Sequence, residues 1–260
     1  MDDLSPVQAA LSLLSGSAVG FVLGLVGGGG SILAVPLLVY LVGVPSPHVA
    51  IGTGAVAVAF NAAASLVAHA RAGTVKWRCA AVFAGAGVAG VFAGAALGKA
   101  MDGQKLLALF GLVMIGVGLS MLRPGRGEED TVVRLTRASA LRLLPIGAGV
   151  GLLSGFFGIG GGFLIVPGLV LATRMPLRDA VGTSLVAVAA FGLATAGSYA
   201  LSGYVDWGLA ALFIAGGIAG GYAGTKAGAV LGARKRALAY VFSAVVIAVG
   251  LYVTGRGLES

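Results

Sequence analysis

Residues 24–36 read GLVGGGGSILAVP, and residues 155–167 read GFFGIGGGFLIVP. Each is an apolar run broken by a glycine cluster and closed by a proline. Glycine disfavours an α-helix by roughly 1 kcal/mol relative to alanine, so each cluster marks a place where a helix is meant to stop. The surroundings define the solvent. The chain is 58% hydrophobic and 10% charged, with a mean hydropathy of +1.02, whereas a soluble domain carries about 25% charged residues. A chain of 260 residues cannot hide that much apolar surface from water, so the solvent is lipid. Glycine accounts for 46 residues without a Gly-X-Y period, which excludes collagen and suits close helix contacts in a bilayer. Cys79 is the only cysteine, so neither a disulfide framework nor a cysteine-rich metal site is available. The opening MDDLSP lacks a basic n-region, and the first apolar segment is expected to stay in the mature chain.

A membrane-crossing helix needs about 20 apolar residues. Apolar segments fall at 7–26, 31–43, 49–70, 77–100 and 104–121, and then at 143–157, 162–173, 179–201, 208–231 and 236–255. The segments 31–43 and 162–173 are short for a crossing, and each follows a glycine cluster. The expected class is therefore an all-α, polytopic membrane protein forming one transporter domain, 1–260. It divides into a first repeat at 1–122, a polar linker at 123–142 and a second repeat at 143–260.

The halves read as copies. Gly24 pairs with Gly155, Gly27 with Gly158, Gly30 with Gly161, Pro36 with Pro167 and Pro45 with Pro176. One residue then drops out of a loop. After it, AIGTG (50–54) pairs with AVGTS (180–184), Gly73 with Gly203, and Trp77 with Trp207. The spaced glycines Gly90, Gly94 and Gly98 pair with Gly220, Gly224 and Gly228. These small-residue stripes suit helix–helix contacts, and a homo-oligomer through them is one expectation.

Charge orients the copies. With loop 70–78 in the cytoplasm, all the lysines and arginines except Lys99, Lys105 and Arg256 fall on the cytoplasmic side, 14 of 17, as the positive-inside rule requires. Equivalent loops then carry opposite bias: 70–78 is basic, whereas 201–207 holds only Asp206. Five segments per copy and this reversal predict inverted-topology repeats, an arrangement typical of secondary transporters. Both termini are expected in the periplasm and loop 122–142 in the cytoplasm.

The two glycine–proline motifs, each followed by a Gly-Thr span and a G-x-[VL]-x-W turn, resemble the TauE/SafE family of sulfite exporters over nearly the whole chain. The resemblance implies transport of sulfite, organosulfonates or related sulfur-containing anions across a bacterial inner membrane. It implies a substrate class rather than one substrate, and it leaves the direction of transport open.

In lipid, a helix break is tolerated where it is buried in protein or lines a cavity. Two breaks related by inverted symmetry are expected to meet near the midplane. Free N–H groups and the positive end of a helix dipole make such a break an anion site without a charged side chain. Gly28, Gly29, Gly30 and Ser31 are assigned to one such site, and Gly160, Gly161 and Gly162 to the other. The competing reading makes these glycines packing or turn residues. A nucleotide loop is excluded, because GGGG is followed by Ser-Ile-Leu with no nearby lysine.

The third span of each half supplies polar groups. Thr53, Asn61 and Ser65 recur at multiples of four and share roughly one helix face. Their copies are Thr183, Phe191 and Thr195. Asn61, the only asparagine, reads equally as a ligand amide or as a bond to a neighbouring helix. Thr53 and Thr183 read as ligands or, more naturally, as helix caps. No acidic residue lies mid-span, so no side-chain proton carrier is evident. The partners expected are a small anion and the bilayer, with no nucleic acid and no cofactor. The competing functions are an anion channel and, more weakly, a membrane enzyme, for which no buried acid or nucleophile–base pair is present.

Overall fold

The computed structural model describes residues 5–122, 136–158, 162–230 and 235–258, and every regular element among them is helical. Helix α1 (Pro6–Val26) runs into a 3-10 helix (Gly27–Leu33), the short α2 (Ala34–Pro36) and a π-helical turn (Leu37–Leu41). Then come α3 (Pro47–Arg71), α4 (Trp77–Ala100) and α5 (Gly103–Met121). The second half contains α6 (Arg137–Phe157), α7 (Gly162–Thr173), α8 (Leu177–Ala200), α9 (Trp207–Val230) and α10 (Lys235–Leu258). Among the described residues, seven helical runs are long and apolar enough to cross a membrane, the run from Pro6 to Leu41 counted as one. The all-α, polytopic reading holds.

The run from Pro6 to Leu41 is not straight. Gly27 has φ +74°, a region that side chains with a Cβ rarely occupy, and α1 ends there. The 3-10 segment then folds back on α1, so that Gly30 lies against the backbone of Val22 and Leu23. In a continuous α-helix those residues would stand about 10 Å apart along the axis. The first broken helix therefore starts at Gly27, earlier than the sequence reading of 31, and its glycines lie inside the helical turn rather than before it. Glycine permits this because side chains at i and i+3 eclipse in a 3-10 helix. Pro36 lacks an N–H and crowds the preceding turn. The wider turn follows directly, with Val42 N–H bonded to Leu37 C=O.

In the second half, α1's counterpart α6 ends at Gly158, φ +69°, and α7 begins at Gly162. Helix α6 also starts at Arg137, six residues before the expected edge. Thr136 accepts from Ser139 N–H, and Ser139 Oγ accepts from Thr136 N–H. This capping box lets residues 137–142, with Arg137 and Arg142, belong to the helix instead of forming loop.

Helix pairing crosses between the halves. Gly16, Gly20 and Gly24 of α1 lie on the backbone of Phe213, Gly217 and Gly221 in α9. Gly147, Gly151 and Gly155 of α6 lie on Phe83, Gly87 and Val91 in α4. The reverse contacts use the spaced glycines: Gly94 meets Leu152 and Gly224 meets Phe21. Both stripes thus pack against helices of the same chain. Lipid supplies no hydrophobic drive between helices, so close backbone packing and carbonyl contacts hold such pairs. Helices α3 and α8 cross at the centre, where Gly192 packs on Ala55 and Ala59. Leu97, Leu112, Leu141 and Tyr222 face outward, as a lipid-bathed surface allows.

Candidate functional site

The two breaks meet. A Cβ on Gly28 would lie 2.6 Å from the Gly162 carbonyl oxygen and 2.7 Å from Val188 Cγ2. Gly28 through Leu33 and Gly162 are all buried. Two helix starts from different halves therefore abut in the apolar core, with no side chain between them. The Gly28 N–H donates to Ser184 Oγ at 3.3 Å, and Ser31 Oγ donates to the Gly28 carbonyl at 2.9 Å. Ser184 in turn donates to Val181 C=O at 2.7 Å. Of the first cluster, Gly28 reaches the opposite break, while Gly30 faces α1. Gly29 is buried in the same turn. Gly160 and Gly161 lie outside the described residues.

Each of the two positive-φ glycines at the breaks, Gly27 and Gly158, is covered by the third helix of the other half. Gly27 rests on Val181 and Ser184 at the start of α8, and Gly158 rests on Ile51 at the start of α3. The β-branched residues Ile51 and Val181 are counterparts in the AIGTG/AVGTS alignment, so the same device occurs twice.

Thr53 and Thr183 do not join the glycines. Thr53 Oγ1 accepts from Asp206 N–H at 2.9 Å, and Thr183 Oγ1 accepts from Lys76 N–H at 3.0 Å. Asp206 and Lys76 immediately precede α9 and α4. Each threonine therefore caps a helix of the opposite half, satisfying one of the orphan donors at a helix start. Lys76 also pairs with Asp179 at 2.9 Å, so one residue latches the α4 start to α8 through both its backbone and its side chain.

Asn61 is 1% exposed, and neither its Oδ1 nor its Nδ2 has a hydrogen-bond partner. Its amide packs on Gly217 of α9, while its counterpart Phe191 packs its ring on Gly87 of α4. Ser65 is 5% exposed and lines a cleft between α3 and α9, one turn from Asn61. Thr195 is buried, and its hydroxyl is likewise unpartnered. The candidate residues thus gather at the Gly28–Gly162 meeting point and, with Asn61 and Ser65, at the α3/α9 seam. Thr195 stands apart on α8, and Thr53 and Thr183 bond the starts of α9 and α4. Ser184 was missed, although its signal was present. It replaces Gly54 of the first copy, and it is the one polar change between the paired pentapeptides.

Comparison with known proteins agrees with this architecture. The family model described as Sulfite exporter TauE/SafE matches residues 12–253. A probable membrane transporter protein of Xylella fastidiosa (strain 9a5c) is 53% identical over 252 residues, covering 95% of each chain. The probable membrane transporter protein YunE of Bacillus subtilis is 28% identical, covering 81% of this chain and 83% of its own. A probable membrane transporter protein of Haemophilus influenzae is 30% identical over 75% of this chain and 74% of its own. No solved structure matches the chain significantly. With a family match running almost from end to end, this multi-pass membrane protein belongs to the Sulfite exporter TauE/SafE family of membrane transporters.

Proposed function

We propose that the chain is a secondary transporter that moves a small sulfur-containing oxyanion, sulfite or an organosulfonate, across the bacterial inner membrane. The observation that carries this reading is the backbone contact of Gly28 with Gly162. Two helix starts converge there in a region without a charged side chain. Apart from the Gly28 N–H, which donates to Ser184 Oγ, backbone amides and helix dipoles are then the groups offered to an anion. The family's printed description supports sulfite as the first candidate. The cross-paired helices support a reading as inverted repeats, and the distribution of lysine and arginine supports both termini in the periplasm. Movement of one half against the other would alternately expose the meeting point.

Purified protein in liposomes tests the proposal. Counterflow of labelled sulfite or of a labelled organosulfonate, saturable and faster than in empty liposomes, is the expected result. Conductive flux without counterflow would assign an anion channel instead. Absence of flux for every sulfur oxyanion tried would remove the substrate class.

A further inference from the structure

The two halves differ most along one pair of seams. On the α1/α3/α9 side, Asn61, Ser65 and His69 follow one another at i, i+4 and i+8, so they share a helix face. They face the opposing column Gly217, Gly221 and Thr225, spaced in the same way. Asn61 packs on Gly217, Ser65 Oγ lies beside Gly221, and the Thr225 hydroxyl lies against Gly24 of α1. The equivalent α4/α6/α8 side carries Phe191, Thr195 and Tyr199 against Gly87, Val91 and Ala95. Aromatic rings thus replace the amide and the imidazole, and Val91 and Ala95 fill the places of Gly221 and Thr225. Phe191, Val91, Ala95 and Tyr199 are all fully buried.

A cleft of about 340 Å³ opens between α3 and α9, with Ser65, Gly221 and Thr225 in its wall and Lys226 at its edge. Lys226 Nζ stands 4.4 Å over the Tyr222 ring. This end of the bundle is the basic one, where Lys76 meets Asp179 and bonds Thr183. One helical turn beyond the cleft's wall lies Asn61, buried and with both amide atoms unpartnered.

We infer that the α1/α3/α9 seam is a built route for an oxyanion, running from Lys226 past Thr225, His69 and Ser65 to the Asn61 amide, and that the equivalent seam is sealed. Lys226 attracts the anion, the Ser65 hydroxyl offers a hydrogen bond, and Asn61 Nδ2 supplies a buried donor without a partner. The Thr225 hydroxyl already donates to the Gly221 carbonyl, and His69 Nδ1 already meets Thr74. Phe191 and Tyr199 close the other side, so the repeat supplies two frameworks and one route. The inference rests on the transport reading for its cargo but not for its location.

Single cysteines test it in a Cys79→Ala background, at Ser65 and Thr225 on one seam and at Thr195 and Ala95 on the other. A negatively charged methanethiosulfonate and its neutral analogue are applied to membrane vesicles of both orientations. Positions 65 and 225 are expected to react with the charged reagent at least tenfold faster than 195 and 95. Methanesulfonate should slow that reaction. Lys226→Gln should slow the charged reagent severalfold and leave the neutral one unchanged. Equal rates on the two seams would overturn the inference. So would reaction of 65 and 225 with the neutral reagent alone, which would make the cleft a groove for lipid chains. Uptake of labelled sulfite is measured separately. Its failure with the labelling pattern intact removes sulfite as the cargo and leaves the route standing.

Discussion

The Gly28 N–H donates to the Ser184 hydroxyl at 3.3 Å, joining the first helix break to a residue 156 positions further along the chain. Both groups are buried. Removing the acceptor strands a backbone donor in an apolar core, which costs about 1–3 kcal/mol. Ser184→Ala should therefore lower the thermal unfolding temperature in detergent, and Ser184→Thr should restore part of it. An unchanged melting point for the alanine variant would show that the bond contributes nothing.

The contact of Gly28 with Gly162 leaves no room for a methyl group on either residue. A Cβ at Gly28 would stand 2.6 Å from a backbone oxygen, closer than real Cβ contacts. Gly28→Ala and Gly162→Ala should each disturb the meeting point, and the double variant should cost less than the sum, because the residues share one contact. Gly149→Ala is the control without crowding, since a Cβ there would meet nothing within 4 Å. Thermal unfolding and sulfite uptake on the four variants check this. A strictly additive double variant would mean that the two breaks are energetically independent.

Burial ranks the two bonds made by Lys76. Its backbone N–H is held by Thr183, which is fully buried, whereas the Lys76 and Asp179 side chains are 32% and 18% exposed. A partly exposed ion pair contributes about 0–1 kcal/mol, while orphaning the part-buried Lys76 N–H costs about 1 kcal/mol, the low end for an unsatisfied donor. Thr183→Val should therefore destabilise the protein more than Asp179→Asn. Thr53→Val should resemble Thr183→Val, since it removes the equivalent bond to Asp206. Chemical denaturation in detergent gives the ranking, and the reverse order would place the strength of the latch in the ion pair.

Orientation rests on the distribution of lysine and arginine. Cysteines placed at positions 3 and 128 in a Cys79→Ala background should respond oppositely to an impermeant reagent applied to intact cells. Position 3 should label and position 128 should not. Labelling of 128 alone would invert the topology.

Helix edges were legible because apolar runs and glycine–proline punctuation fix them within a few residues. The crossing partners of the glycine stripes were legible only as pairs, since spacing identifies a contact face but not the helix that fills it. The sequence reading missed the start of α6 at Arg137, because charge in 137–142 outweighed the Thr136–Ser139 capping box. It placed Thr53 and Thr183 beside the anion, or as caps of their own helices. Their bonds to Asp206 and Lys76 join distant segments, and no local spacing encodes that. The convergence of the breaks was legible from symmetry. The hydrogen bond that occupies Gly28 was not, because it depends on Ser184 standing where the first copy has Gly54.

Asn61 separates a residue kept for transport from one kept for packing. A residue that glues helices together bonds across them, and its removal weakens the protein. Asn61 has no such bond and is 1% exposed. An unpartnered polar group in an apolar interior costs about 1–3 kcal/mol by protein mutational data. Leucine is close to asparagine in shape and removes that penalty. Asn61→Leu should therefore raise the unfolding temperature while reducing transport of sulfite, or of whichever sulfur oxyanion the liposome assay identifies, by tenfold or more, a loss equivalent to about 1.4 kcal/mol. Asn61→Gln keeps the amide but displaces it, and it should retain stability with intermediate transport. The opposite sign decides against the route: a lower unfolding temperature with normal transport kinetics in Asn61→Leu would make this amide structural, and the asymmetry with Phe191 would then be a matter of packing against Gly217 and Gly87 alone.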